Sequence, residues 1–105
     1  DQGTWCSLPR PDMIRTDGDL YDQYAELFYA AQEWAFGATS DYYAVDPFHE
    51  GGITGGMNSA DISREVLNSM LAADQDAIWI IQAWQGNPTT ALLNGLENAL
   101  HHMVK

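Results

Sequence analysis

The sequence predicts an α/β fold in which parallel strands alternate with helices. Two β-rich runs, "DYYAVDP" and "AIWIIQAW", flank a segment whose apolar residues recur with helical periodicity. The second run is nearly continuous in apolar residues, as in strands that are buried on both faces. A strand, a crossover helix and a second strand form a right-handed unit with parallel strands. The spacing from Tyr42 to Ile78 is close to the roughly 30 residues of one such unit. We therefore expect a βαβ-containing part of a (β/α)8 barrel.

The predicted elements follow in the order loop, helix, strand, loop, helix, strand, helix. They cover residues 1–18, 19–36, 42–46, 47–59, 60–73, 77–84 and 88–104. The opening loop contains "LPRP" and "TDGD" and shows no periodicity. The first helix has apolar residues at steps of three and four, and Gly37 suits the position just after its end. Those apolar residues are Leu20, Tyr24, Leu27, Phe28, Ala31 and Trp34.

The other two helices are predicted from capping residues and the same periodicity. Asn58 or Ser59 can cap the second helix, and Pro88 with Thr89 opens the third. The apolar positions are Ile62, Val66, Leu67, Met70 and Leu71 in the second helix, and Leu92, Leu93, Leu96, Leu100 and Met103 in the third. A length of 105 residues with 46% hydrophobic content suits one small domain.

The charge balance excludes several classes of partner. The net charge of −11 argues against binding to nucleic acid or to an anionic membrane. The longest apolar stretch, residues 77–81, is too short to span a bilayer. Cys6 is the single cysteine, so the chain cannot form an internal disulfide or a multi-cysteine zinc site. The start of the chain shows no signal peptide and no initiator Met, so we expect a segment of a longer protein.

Polar residues come late in both predicted strands. Strand alternation places Ile78, Ile80, Gln82 and Trp84 on one face of the second strand, and Tyr42, Ala44 and Asp46 on one face of the first. In α/β sheets and barrels, ligands bind at the carboxyl ends of the strands. We therefore expect a site on one rim, formed by Asp46, His49, Glu50, Gln82 and Trp84.

Each rim residue also has a structural interpretation. Asp46 before Pro47 can anchor the loop by accepting hydrogen bonds from backbone amides. His49 and Glu50 can be solvated loop residues, and Trp84 can serve packing alone. A metal site is not expected, because "HE" lacks the second histidine four residues later that a zincin helix supplies. The pair His101 and His102 suits a helix end, and no cofactor is expected.

The two runs "YYAVDPFHEGG" and "AIWIIQAW" resemble the catalytic domain of family 89 glycoside hydrolases, the α-N-acetylglucosaminidases. The resemblance extends over essentially the whole chain and is most specific in "DPFHE" and "IWIIQAW". Eukaryotic relatives have Asn in place of His49, so the glycine-rich loop here looks more like that of bacterial members.

The resemblance implies a retaining exo-glycosidase that removes terminal α-linked N-acetylglucosamine from glycans. The general acid/base of the family matches Glu50, and its strand-end pocket tryptophan matches Trp84. Asp46 and His49 fall on motif positions beside the acid, and Gln82 shares their rim, so all four are expected to bind substrate. A secreted, periplasmic or cell-surface parent is implied as well.

The second catalytic carboxylate is missing from the sequence. Retaining glycosidases use two carboxyl groups, and in the family the nucleophile follows a later barrel strand. We therefore expect the segment to be inactive without the remainder of its parent barrel. The alternative is an acidic carbohydrate-binding or protein-interaction module that performs no catalysis.

Overall fold

A computed structural model of the chain describes residues 3–37, 40–48 and 52–104. The last three strands in chain order form one sheet, and the first two form a separate hairpin. The strands are β1 (Thr4–Trp5), β2 (Leu8–Pro9), β3 (Tyr42–Ala44), β4 (Ile78–Ile80) and β5 (Met103–Val104). The helices are α1 (Asp19–Phe36), α2 (Ser59–Ala73) and α3 (Thr90–Asn94), followed by a 3₁₀ turn over Leu100–His102.

The sheet is parallel throughout. Strand β4 lies in the middle, and its Ile80 is opposite Ala44 on one side and Val104 on the other. The predicted βαβ unit is therefore confirmed. Both of its strands are shorter than the predicted ranges 42–46 and 77–84, because regular pairing ends where Asp46 contacts the next strand through its side chain.

The predicted helix over 88–104 is wrong beyond Asn94. Thr89 caps α3 by accepting a hydrogen bond from the Leu92 amide at 3.2 Å, as its sequence suggests. Gly95 then lies so close to α2 that a Cβ atom there would collide with the Ala60 carbonyl oxygen and the Ser63 hydroxyl. The chain turns here instead of continuing as a helix, and its end pairs with the middle strand as β5. The spacing of the leucines is typical of a helix, but the end of the chain pairs with β4 as a strand.

The predicted loop over 1–18 contains a short antiparallel hairpin. Trp5 is opposite Leu8, and the two residues between them, Cys6 and Ser7, have φ angles of 49° and 64°. Positive φ at both central residues is the geometry of a type I′ turn, which usually contains Asn or Gly. "CS" lacks that signal, so the hairpin could not be predicted.

The core lies between α2 and one face of the sheet. Trp79 is completely buried there, and its indole Nε1 donates a hydrogen bond to the Val45 carbonyl at 2.8 Å. Asn58 caps α2 by accepting hydrogen bonds from the amides of Ala60 and Asp61. The buried cluster comprises Met57, Ile62, Val66, Leu67, Met70, Ala77, Trp79, Ile81 and Leu96.

The apolar stripe of α1 faces outward. Trp34 is 88% exposed, and Leu20, Tyr24, Leu27 and Phe28 are also exposed. The helix instead contacts the core through a neighbouring face, where the ring of Tyr29 meets that of Tyr43 edge-on at 5.4 Å. Periodicity identifies this stripe correctly as apolar, but nothing in the described part of the chain covers it.

No helix within the described ranges is both long enough and apolar enough to cross a membrane.

Candidate functional site

The sheet has one covered face and one uncovered face. Trp79 and Ile81 are buried against the helices, whereas Ile80 is 38% exposed and Tyr42 is 62% exposed. The alternation predicted from the sequence is therefore present. Register places Ala44, Ile80 and Val104 side by side in one row. In a closed barrel the face that carries this row would point inward.

Asp46 joins the carboxyl ends of β3 and β4. Its Oδ1 accepts a hydrogen bond from the Gln82 amide at 2.6 Å, 36 residues along the chain. This contact brings two of the predicted rim residues together, with Trp84 following shortly after on the same strand end. His49 and Glu50, which complete the predicted site, lie outside the described residues.

The loop that carries Glu50 is closed at its base by its two flanking residues. A Cβ atom at residue 52 would lie 2.9 Å from the Cα atom of Phe48 and 3.2 Å from its carbonyl carbon. Only glycine therefore fits at position 52 without a shift of the backbone. Phe48 has a φ of 59° and packs against the core cluster, which holds its side of the contact with Gly52 in place.

The far end of the same loop is attached to the segment before α1. Arg15 Nη1 donates a hydrogen bond to the Gly55 carbonyl at 3.1 Å, and the Thr16 hydroxyl donates to Met57 Sδ at 3.7 Å. Arg15 also pairs with Asp17 at 2.7 Å, and this hydrogen bond lowers the pKa of Asp17. Sequence reasoning missed both anchors, because a contact across 40 residues leaves no periodic signal.

Trp84 is the first residue of a tight turn that ends at Asn87. Its amide donates to the Asn87 carbonyl at 3.2 Å and the Asn87 amide donates back at 2.9 Å, with positive φ at Gln85 and Gly86 between them. The Asn87 side chain also donates to the Gln82 carbonyl at 3.4 Å. Trp84 is 51% exposed, so it is accessible from solvent at this rim.

The two histidines near the end of the chain lie away from this rim. His102 Nδ1 is 2.9 Å from the carbonyl oxygen of Ala77, the residue before β4 begins. That position is at the amino end of the strand, opposite Gln82 and Trp84. The described residues contain no cluster of three or more His, Cys, Asp or Glu side chains that could hold a metal ion.

Comparison with known families and structures identifies the same fold. The chain matches the family model of the α-N-acetylglucosaminidase (NAGLU) TIM-barrel domain over residues 1–104. No curated protein shows significant similarity to it.

Solved structures of a family 89 glycoside hydrolase from Clostridium perfringens are similar to the chain. The complex with PUGNAc has a TM-score of 0.84 at 44% identity, and the match covers 90% of this chain and 11% of that one. A variant of the same enzyme with two glutamates changed to glutamine, in complex with its substrate GlcNAc-α-1,4-galactose, has a TM-score of 0.85 at 43% identity over the same shares.

The agreement between these two comparisons and the parallel sheet is decisive for the family. The chain spans 11% of the length of its solved relatives, and its βαβ unit with a third parallel strand corresponds to a portion of their barrel. Since the family model matches nearly the whole sequence, this chain belongs to the α-N-acetylglucosaminidase TIM-barrel family of glycoside hydrolases.

Proposed function

We propose that this segment contributes the general acid/base, Glu50, to a retaining exo-glycosidase that removes terminal α-linked N-acetylglucosamine from glycans. The observation that carries the proposal is the position of the "DPFHEGG" loop. Asp46 and Gln82 join the carboxyl ends of two parallel strands, and the loop leaves the sheet at that junction. Catalytic residues of (β/α)8 barrels occupy this end of the strands.

The ligands of the solved relatives support the substrate class. The Clostridium perfringens enzyme is bound to its substrate GlcNAc-α-1,4-galactose in one structure and to 2-acetamido-1,2-dideoxynojirmycin in another. Our assignment of terminal α-linked N-acetylglucosamine to this chain rests on 43% sequence identity over 90% of its length. A glycan that ends in this sugar is the proposed partner.

The proposed chemistry needs two carboxyl groups about 5–5.5 Å apart. Glu50 would protonate the departing glycosidic oxygen and then take a proton from the water that attacks the intermediate. Such a group works best when its pKa lies near the working pH. The nucleophile would come from a later strand of the parent barrel. Glu50 by itself therefore cannot support turnover in this segment.

Other rim residues would hold the sugar. Trp84 is half-exposed, and its indole would offer an apolar face on which a sugar ring can pack. Gln82 would offer a polar group at the same rim and His49 would add another, whereas Asp46 already bonds the Gln82 amide through Oδ1. Gly52 leaves the base of the loop without a side chain, so the backbone of Phe48 and Gly52 can remain in contact there.

The remainder of the parent barrel is the second proposed partner. Both the uncovered sheet face, which contains Tyr42 and Ile80, and the outward stripe of α1 expose large apolar side chains. Exposed apolar surface of this kind is typical of an interface. Neighbouring βα units would bury the sheet face inside the barrel and would cover the helix stripe.

Glu50→Gln in the full-length parent tests the assignment of the acid/base. Turnover of natural glycans should fall by about 10²–10⁴-fold, the contribution of general acid–base catalysis. An activated aryl glycoside, whose leaving group departs without a proton, should be affected much less in the first step. Azide should accelerate the second step, because it replaces the water that needs a base.

A matched control is Glu97→Gln, which changes an exposed glutamate beyond α3. It should leave turnover of both substrates unchanged. Equal losses on both substrates in Glu50→Gln, without rescue by azide and at unchanged thermal stability, would show that Glu50 is not the acid/base.

A further inference from the structure

The hydrogen bonds between β3 and β4 follow a regular repeat. The Ile78 amide donates to the Asp41 carbonyl at 2.7 Å, and the Val45 amide donates to the Ile80 carbonyl at 3.3 Å. In a parallel pair, each step of two residues along one strand corresponds to two residues along the other. Two such steps from Ile78 and Asp41 lead to Gln82 and Val45. The next bond of the repeat would thus run from the Gln82 amide to the Val45 carbonyl.

That bond is replaced by two side-chain bonds. The Val45 carbonyl accepts from the buried indole of Trp79 at 2.8 Å. The Gln82 amide donates to Asp46 Oδ1 at 2.6 Å. The carboxylate therefore takes the role of the missing backbone acceptor. As a result, the chain that follows β3 can leave the sheet at Asp46, while the Gln82 amide beyond β4 keeps a hydrogen-bond partner.

We infer that Asp46 is a positioning residue, whose carboxylate caps the β3–β4 ladder and sets the direction in which the catalytic loop leaves the sheet. The inference rests on the proposed role of Glu50, which follows four residues later in this loop. A hydrogen bond to a carboxylate is stronger than one between neutral groups. The cap also joins the carboxyl ends of β3 and β4, which precede Glu50 and Trp84 in the sequence.

This role differs from sugar binding in what it needs from the side chain. A cap needs one acceptor oxygen at the position of Oδ1, and it does not need the negative charge. A carboxylate that bound sugar hydroxyls or acted on Glu50 through its charge would lose that function on conversion to an amide. The two roles therefore diverge in Asp46→Asn, which keeps an acceptor oxygen on a side chain of the same shape.

The experiment compares Asp46→Asn with Asp46→Ala in the full-length parent enzyme. We expect Asp46→Asn to keep kcat within about threefold of the wild type and Asp46→Ala to lower kcat by about 10- to 100-fold, because misplacement of a catalytic group by 1 Å is enough for such a loss. KM should change little in either variant. Asp41→Asn and Asp41→Ala, at the other end of β3, are the matched controls and should behave as the wild type.

Hydrogen–deuterium exchange provides a readout that does not depend on catalysis. The peptide that contains Gln82 should exchange faster in Asp46→Ala than in the wild type or in Asp46→Asn. The alkaline limb of the pH–rate profile should stay in place in Asp46→Asn. If Asp46 acted on Glu50 through its charge, the loss of a nearby negative charge would move that limb to lower pH.

Three outcomes would overturn the inference: equal losses of kcat in Asp46→Asn and Asp46→Ala, wild-type behaviour of Asp46→Ala, or a shifted alkaline limb in Asp46→Asn. Failure of the proposed function would look different. In that case Glu50→Gln would retain turnover, while the exchange of the Gln82 peptide would still report whether the cap exists.

Discussion

Gly52 and Phe48 are in backbone contact at the base of the proposed catalytic loop. A Cβ atom on residue 52 would approach the Phe48 Cα atom to 2.9 Å, a distance at which one of the two backbones must move. His49, Glu50 and Gly51 lie between them in the sequence. Any change that separates residues 48 and 52 therefore acts on the segment that carries the proposed acid/base.

Gly52→Ala should consequently impair catalysis more than folding. In the full-length parent we expect kcat to fall by about tenfold or more, because catalytic groups must be held within a fraction of an ångström. The melting temperature should fall only slightly. Gly18→Ala is the control, since Gly18 has open space around its Cβ position. Wild-type turnover in Gly52→Ala would contradict the close contact.

Trp84 should act on substrate binding, with little effect on stability. Its side chain is 51% exposed at the rim, so its removal leaves no large cavity. Trp84→Ala should raise KM by about tenfold, which corresponds to ~1.4 kcal/mol of binding energy. Trp84→Phe should retain most of this binding energy, because an aromatic face is kept. Steady-state kinetics on the full-length enzyme would check this, and an unchanged KM in Trp84→Ala would assign the residue to packing.

The amino end of the sheet offers a test of pH dependence. The Tyr43 hydroxyl donates a hydrogen bond to Asp74 Oδ2 at 3.1 Å. Burial, together with this hydrogen bond and the negative charge of Asp74, raises the pKa of Tyr43 above its ordinary value of 10.0. The Tyr43 phenol therefore contributes stability that is fully present below its pKa in the unfolded chain. This stability is lost as the pH rises through its pKa in the folded protein.

Tyr43→Phe should lower the free energy of unfolding by about 1 kcal/mol at neutral pH, the usual contribution of one hydrogen bond. The difference from the wild type should shrink as the pH rises above about 10, where the phenol of the unfolded wild-type chain loses its proton before that of the folded one. Urea unfolding of the 105-residue polypeptide, followed by circular dichroism at dilute concentration, measures both effects. Tyr24→Phe, on the exposed stripe of α1, is the control. A difference that persists unchanged in strongly alkaline solution would contradict the assignment.

The sequence predicts the architecture well where the signal is local. Alternation correctly separates Trp79 from Ile80, and helical periodicity locates the buried residues of α2, among them Ile62 and Met70. Bonding of Asp46 to a backbone amide is one of its two interpretations, but the sequence does not identify the amide, which belongs to Gln82, 36 residues away. Each of these signals depends on residues that are neighbours in the chain or on strict two-residue repetition.

Apart from the β1–β2 hairpin, the missed features depend on partners that are distant in the sequence. The strand β5 exists because the end of the chain pairs with β4, which is separated from it by α3 and the 3₁₀ turn. The bond from Arg15 to the Gly55 carbonyl spans 40 residues. A side chain that bonds to a remote carbonyl follows no period, so composition and spacing cannot identify it.

The last prediction concerns the apolar stripe on α1. If the remainder of the parent barrel covers this stripe, a polar substitution there should have opposite effects in the two contexts. Leu27 is 71% exposed in this segment, so Leu27→Gln should leave the helicity of the isolated polypeptide unchanged. It should also reduce binding of a hydrophobic dye and self-association, because the exposed apolar area becomes smaller. In the full-length parent the same change should destabilise the protein by roughly 1.5–3 kcal/mol, since it removes a buried leucine from an interface.

Gln23→Ala, on the exposed surface of the same helix, is the control and should be neutral in both the isolated segment and the parent. Thermal melting of the parent, with dye binding and light scattering of the isolated segment, provides the three measurements. A parent that tolerates Leu27→Gln without loss of stability would show that the stripe remains exposed to solvent, and the proposed cover over α1 would then be wrong.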